Sequence, residues 1–125
     1  MRLLCYILDM SKTDISTPLR PAPFYILLAL ADAPVHGYAA MQAVRERSGG
    51  SVRLSTGSFY RHLTWLLDEG LVEEASSPAG DDPRRGAYYR VTARGRQALT
   101  RERDRLAALV TALDALRPAP RRGRA

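Results

Sequence analysis

The stretch from Ser55 to Thr92 most constrains the fold of this chain. It reads STGSFYRHLTWLLDEGLVEE, then a polar loop, then PRRGAYYRVT. Ser55 is a good N-cap, with Thr56, Gly57 and Ser58 in the first turn behind it, because a serine oxygen accepts from an N–H that the helix leaves unpaired. Phe59, Leu63, Leu66 and Leu67 recur at helical spacing as one apolar stripe, and Gly70 stands where a helix needs a left-handed residue to stop. Leu71 to Ala75 and Ala87 to Val91 predict two antiparallel strands. The turn between them, Ser76 to Gly86, carries Pro78, Gly80, Asp81, Asp82, Pro83, Arg84 and Arg85. A helix alone could belong to almost any small protein. A capped helix backed by a two-stranded basic hairpin is a unit suited to entering the grooves of DNA.

The remaining segments fit around this unit. Pro21 and Pro23 precede the apolar run FYILLALA, which predicts a short buried helix ending near Asp32-Ala33-Pro34. His36-Gly37-Tyr38 opens a second helix, Gly37 to Arg47, with Tyr38, Met41 and Val44 at helical spacing and Arg45, Glu46 and Arg47 in water. Ser48-Gly49-Gly50 ends it. Val52-Arg53-Leu54 alternates apolar and basic residues and predicts a short strand. Thr92 caps a long final helix, Ala93 to Leu116, stopped by Pro118. The organisation is an N-terminal arm (1–20), a compact domain (21–92), a C-terminal helix (93–117) and a basic, disordered tail (118–125) ending RRGRA. Met1 and Met10 are both compatible with a native start.

At 125 residues and 46% hydrophobic composition, one small core is expected, which favours help from a partner subunit. The net charge is +6 and Lys12 is the one lysine among 19 basic residues. Arginine offers planar, bidentate recognition of phosphate and guanine. A GC-rich genome would produce the same bias, so the placement of the charge has to decide. Cys5 stands alone, which excludes an intramolecular disulfide or a multi-cysteine zinc site. The apolar run Leu3 to Leu8 is too short to span a bilayer and lacks the pattern of a secretory signal, so a cytoplasmic location is expected.

The helix after Ser55 has a charge polarity. Its first half offers Ser58, Tyr60, Arg61 and His62, while its last turn offers Asp68 and Glu69. The acids oppose the helix dipole and would be repelled by phosphates, so only the N-terminal half can face DNA. Arg84 and Arg85 at the hairpin turn, with Arg90 behind them, suit a minor groove or its phosphates. Asp81 and Asp82 either hold these arginines in position or solubilise the loop. Arg94 and Arg96 oppose the dipole of the last helix, which suits either nearby phosphates or solvation.

Leu99, Leu106, Leu109, Val110, Leu113 and Leu116 form a heptad-like stripe on the last helix. Some two dozen residues span about 36 Å at 1.5 Å per residue. So small a domain cannot cover that length, and the stripe predicts a homodimer. Glu102 interrupts the seam and Gly95 lies in the first turn, so the later three turns carry the contact. His36, at a helix start, reads as a group that satisfies backbone polar atoms. His62 lacks a metal-binding companion. No phosphate-cradling loop, nucleophile elbow or paired carboxylates occur, so neither an enzyme nor a bound metal or cofactor is expected.

These residues resemble the PadR family of bacterial winged-helix transcriptional regulators in its short form. The resemblance is carried by Leu30-Ala31 before His36-Gly37-Tyr38, by Ser48-Gly49-Gly50, by Gly57-Ser58-Phe59-Tyr60 and by Glu69-Gly70-Leu71-Val72. Tyr88-Tyr89-Arg90-Val91-Thr92 with Gly95 completes it. It implies a mainly α fold with a small β-wing, a winged helix-turn-helix domain followed by a dimerisation helix, and a repressor released by a small ligand or other signal. DNA-reading positions implied by it are Ser55, Thr56, Ser58, Tyr60 and Arg61, with Arg84 and Arg85 on the wing. Arg61 departs from the proline or alanine common after the tyrosine, which bears on operator preference. Trp65 and Leu67 stand where charged residues are usual. Trp65 either fills a gap against the N-terminal arm or a partner subunit, or stacks on a flat apolar effector.

The expected function is therefore a homodimeric, ligand-responsive repressor binding double-stranded operator DNA, with an aromatic or apolar small molecule as effector. The alternatives are a winged-helix protein-interaction module without DNA contact and an RNA-binding winged helix.

Overall fold

A computed structural model describes residues 18–76 and 86–116. Helix α1 (Pro21–Ala29) leads through strand β1 (Val35–His36) into α2 (Gly37–Arg47), followed by α3 (Thr56–Asp68), β2 (Val72–Ala75), β3 (Tyr88–Val91) and α4 (Ala93–Asp114). The strands form one antiparallel sheet in the order β1-β3-β2. The core lies between the three short helices and this sheet. Ile26, Leu27, Leu30, Val44, Phe59, Leu63, Leu66, Leu71, Val72 and Val91 are all buried in it.

Local signals explain the boundaries. The Ser55 Oγ accepts from the Ser58 N–H at 3.1 Å, and Thr92 Oγ1 accepts from the Gly95 N–H at 3.1 Å. Gly70, with φ of 75°, ends α3, where its N–H donates to the Leu67 carbonyl and the Leu71 N–H to the Leu66 carbonyl. That 5→2 and 6→1 pair is a Schellman stop, sealed by the burial of both Leu66 and Leu71. The predicted α1 is shifted: it begins at Pro21, whose missing N–H costs nothing in a first turn, and ends at Ala29.

The strand expected at Val52 to Leu54 is not formed. Ser48 Oγ accepts from the Val52 N–H at 3.0 Å, and Arg53 Nε donates to the Gly50 carbonyl at 3.2 Å, so this segment is tied back onto the end of α2. The third place in the sheet goes to Val35–His36, which pairs with Tyr89 and Tyr88. His36 then caps α2, its Nδ1 accepting from the Ala39 N–H at 3.2 Å, and its ring meets Tyr88 edge-on. The structural role expected of His36 is what the geometry gives it.

The start of α4 is fastened to the rest of the domain by its polar side chains. Thr92 Oγ1 donates to the Gly70 carbonyl at 2.6 Å. Arg94 Nε donates to the Glu69 carbonyl at 3.1 Å and Arg96 to the Ala31 carbonyl at 3.0 Å. Both guanidiniums thus meet carbonyl oxygens at or just past the C-terminal ends of other helices, where cations are stabilised. Arg94 is half-buried in this arrangement, while Arg96 keeps the exposure expected of a solvated arginine.

Candidate nucleic-acid interface

Helix α3 buries Phe59, Leu63 and Leu66 and turns the opposite side outward. At about 100° per residue that outward stripe is Gly57, Arg61, Thr64 and Asp68, all exposed. Ser55 and Thr56 are exposed at its N-terminal end, and Ser58 is half-buried on one flank. Asp68 closes the stripe at the C-terminal end, so positive and neutral donors occupy the first half and the acid the last turn. Thr64 was absent from the sequence reading, although the spacing from Arg61 and Tyr60 would have found it. Its hydroxyl donates to the Tyr60 carbonyl at 2.8 Å, leaving the oxygen and methyl outward.

The two flanks of α3 differ. On one, Tyr60 is 42% exposed and lies over the backbone of Gly37, the first residue of α2; a Cβ at that position would strike the Tyr60 hydroxyl. Tyr38 stands beside it on α2, 63% exposed. Tyr89 of β3 faces the same region, and its hydroxyl pKa is raised by burial, by Glu74 and by Tyr60. On the other flank His62 is half-buried, and its imidazole is held below its usual pKa by burial first, then by the charges of Arg20 and Arg61. Arg20 is the N-cap of α1 and a further cation that sequence reasoning missed, since all of α1 and α2 lie between it and α3 in the chain.

The wing carries its charge differently from the sequence expectation. Arg90 is paired across the strands with Glu73 at 2.7 Å, in the register that sets the two opposite each other. Arg84 and Arg85 lie outside the described residues, as do Asp81, Asp82 and the basic tail.

Along α4 the apolar stripe divides. Leu99 is half-buried and packs onto the domain's own core. Glu102 does not interrupt a seam; its side chain is 3% exposed, accepting from the Leu19 N–H at 3.0 Å and from Arg105 Nε at 2.6 Å. The Arg105 hydrogen bond chiefly holds its carboxyl below the usual range, against the opposing effect of burial. Leu106, Leu109, Val110, Leu113 and Leu116 are exposed. A cleft of about 460 Å³ opens where α4 passes the start of α1, walled by Leu19, Phe24, Tyr25, Val52 and Leu106, with Glu102 and Arg105 at one side. Trp65 packs half-buried against the core and is not among the residues lining this cleft. Among the described residues no cluster of histidine, cysteine or carboxylate could hold a metal ion, and no helix is long and apolar enough to cross a membrane.

A helix-turn-helix whose second helix bares one side, backed by a three-stranded sheet and followed by a long helix, defines a winged helix-turn-helix protein. The Transcriptional regulator PadR-like family matches residues 26–101, and the chain belongs to it. A PadR family transcription regulator from Clostridium difficile shares the fold with a TM-score of 0.63 at 22% identity, over 76% of this chain and 96% of that one. A PadR-like regulator from Bacillus cereus gives a TM-score of 0.62 at 23% identity, over 74% and 86%. An uncharacterized 37.1 kDa protein in transposon TN4556 of Streptomyces fradiae is 36% identical over 88 residues, 70% of this chain. The matched region spans 24% of that protein's length.

Proposed function

We propose that the protein is a sequence-specific DNA-binding repressor that acts as a homodimer in the cytoplasm and responds to a small ligand. The observation that carries the DNA reading is the outward stripe of α3, where Arg61 projects without a partner carboxylate among the described residues and the acid is confined to the last turn. The N-terminal half of α3 enters a major groove, with Ser55, Thr56, Ser58, Tyr60, Arg61 and His62 as its contacts and Arg84 and Arg85 on the wing beside it. Two copies joined through α4 place two such helices about one helical turn apart. The effector is apolar or aromatic, and the cleft between α1 and α4 suits it better than the neighbourhood of Trp65. A ligand there would shift α4 against the DNA-binding head and change the spacing of the two heads.

The test is binding of the full chain to a labelled duplex from its own upstream region across a salt series. Affinity should fall steeply with added salt, and Arg61→Ala should weaken binding to the native site more than to a scrambled duplex. No binding to either duplex at low salt would remove the DNA reading and leave the protein-interaction module. Preference for RNA hairpins over duplex would point to the RNA-binding alternative.

A further inference from the structure

Two contacts fix how α3 passes α2. Tyr60, in the second turn of α3, lies over the backbone of Gly37, where α2 begins. Leu54, one residue before the Ser55 cap, lines a cavity together with Met41, Gln42 and Arg45, which lie further along α2. The N-terminal half of α3 therefore runs alongside α2 in the opposite sense. Ala40 and Val44 turn to the core, so at about 100° per residue Tyr38, Gln42 and Arg45 form one outward stripe beside that half. A first helix placed in this way lies against the DNA backbone when the second enters the groove.

The cavity at the Leu54 end has the chemistry of an anion seat. It measures about 140 Å³ and is lined by Met41, Gln42, Arg45, Arg53 and Leu54. That is well below the roughly 300–1,000 Å³ of pockets that enclose a small-molecule ligand, and of a size for one small group. Two guanidiniums and an amide supply donors, and no carboxylate is among the described residues that line it; even Glu46, next to Arg45 in the chain, is absent. A larger polar cleft along α4, of about 600 Å³, also has two arginines, Arg96 and Arg101. There Asp104 shares the wall, and Arg96 is bonded to the Ala31 carbonyl. Exposure does not single out Arg45; its convergence with Arg53 on a cavity without an acid does.

The turn between the helices holds both arginines. Ser48 Oγ donates to the Arg45 carbonyl at 3.2 Å and accepts from the Val52 N–H at 3.0 Å, so one hydroxyl joins the backbone beside each of them. Gly50, with φ of 83°, turns the chain back, and Arg53 lies across it with its Nε donating to the Gly50 carbonyl at 3.2 Å. A guanidinium carries five N–H donors in a planar fork, and this bond uses one of them. Among the described residues the side chains of Gln42 and Arg45 have no hydrogen-bond or ionic partner.

We propose that Gln42, Arg45 and Arg53 form a seat for one phosphate of the DNA backbone, beside the N-terminal end of α3. The proposal rests on the DNA-binding reading above. A phosphate held there carries no sequence information itself, but it sets the register in which Ser55 to Arg61 meet the base edges.

The experiment uses the full chain and its Arg45→Ala, Arg53→Ala, Arg45→Ala/Arg53→Ala, Gln42→Ala, Gln42→Glu and Arg61→Ala variants, with folding checked by circular dichroism. Each is titrated against the native upstream duplex and a scrambled duplex of equal length over a salt series. A shared seat predicts that each arginine variant weakens both duplexes equally, by about fivefold at 0.15 M salt, and that the double variant lowers the salt slope by about 0.9 per protomer, the value for one phosphate. Gln42→Glu sets a carboxylate against the phosphate and should weaken both duplexes more than Gln42→Ala, a difference that a merely structural role would not produce. Ethylating single phosphates of the native duplex should find a position that the wild-type chain needs and the double variant no longer senses. Unchanged affinity and slope in the double variant, with Arg61→Ala still impaired, would overturn the proposal and leave the DNA reading standing. A loss confined to the native duplex would make these residues base contacts, and a slope lowered by about 1.8 per protomer would mean two separate phosphates; either overturns the seat. Failure of the wild-type chain to bind either duplex at low salt would remove both.

Discussion

Gly95, in the first turn of α4, lies so close to the carbonyl oxygen of Leu71 that no side chain fits between them. A Cβ at Gly95 would strike both this oxygen and Cγ1 of Val91. The oxygen cannot easily retreat, because it accepts from the Thr92 N–H at 3.1 Å. The end of α3, the wing and the long helix thus meet at one backbone crossing. Gly95→Ala should destabilise the domain by about 1–3 kcal/mol through overpacking, despite alanine's higher helix propensity. Urea denaturation would measure this, and a gain in stability would show that the crossing is looser than the geometry requires.

Gly37 presents the opposite case. The atom its Cβ would meet is the Tyr60 hydroxyl, the far end of a side chain that can swing away. Gly37→Ala should therefore change stability by no more than about 1 kcal/mol, while displacing Tyr60 from beside Tyr89. If Tyr60 reads DNA from that seat, affinity for the native duplex should fall in Gly37→Ala although Tyr60 itself is intact. Wild-type affinity in this variant would detach Tyr60 from the interface.

His62 gives a pH dependence whose sign can be worked out. Burial, Arg20 and Arg61 lower its pKa from 6.5 in the folded chain. The unfolded chain therefore binds the proton more readily, and stability should decline as pH falls through 6.5 toward the lower folded value. His62→Gln should remove that part of the decline. Phosphates brought beside the ring would raise its pKa, so duplex binding should take up a proton and strengthen between pH 7 and pH 6. Ring-proton NMR titrations of the free and bound chain would follow this, and Arg20→Ala should raise the free value. A free pKa above 6.5 would contradict the crowding of these three groups.

Much of this architecture could be read from local chemistry. Ser55, Thr92, Gly70 and the Gly49-Gly50 stop mark helix ends, because caps depend on a few adjacent residues. What could not be read depends on distant parts of the chain. Val35–His36 is too short to show a period, and it is a strand because β3 offers it an edge, whereas Val52 to Leu54 alternates but is tied to Ser48 and Gly50. Glu102 looks like a fault in an apolar seam until the Leu19 amide is found opposite it. Arg20 joins α3 only through the packing of α1. Residues 77–85 carry the wing arginines and lie outside the described residues.

The apolar residues of α4 become steadily more exposed away from the domain. Leu106 is 40% exposed, Leu109 47%, Val110 55%, Leu113 64% and Leu116 68%. The helix runs beyond the core that covers Leu99, and five apolar residues on the overhang are more than scattered surface leucines account for. Leu113→Arg places a charge in the middle of this stripe, far from the core. It should convert a dimer to a monomer in sedimentation while leaving the wing and helix-turn-helix folded. Duplex affinity should then fall by far more than the loss of any single contact, because each head must bind its half-site alone and the gain from linkage is gone. A variant that remains dimeric would place the dimer contact elsewhere, and a wild-type chain that sediments as a monomer would refute the homodimer itself.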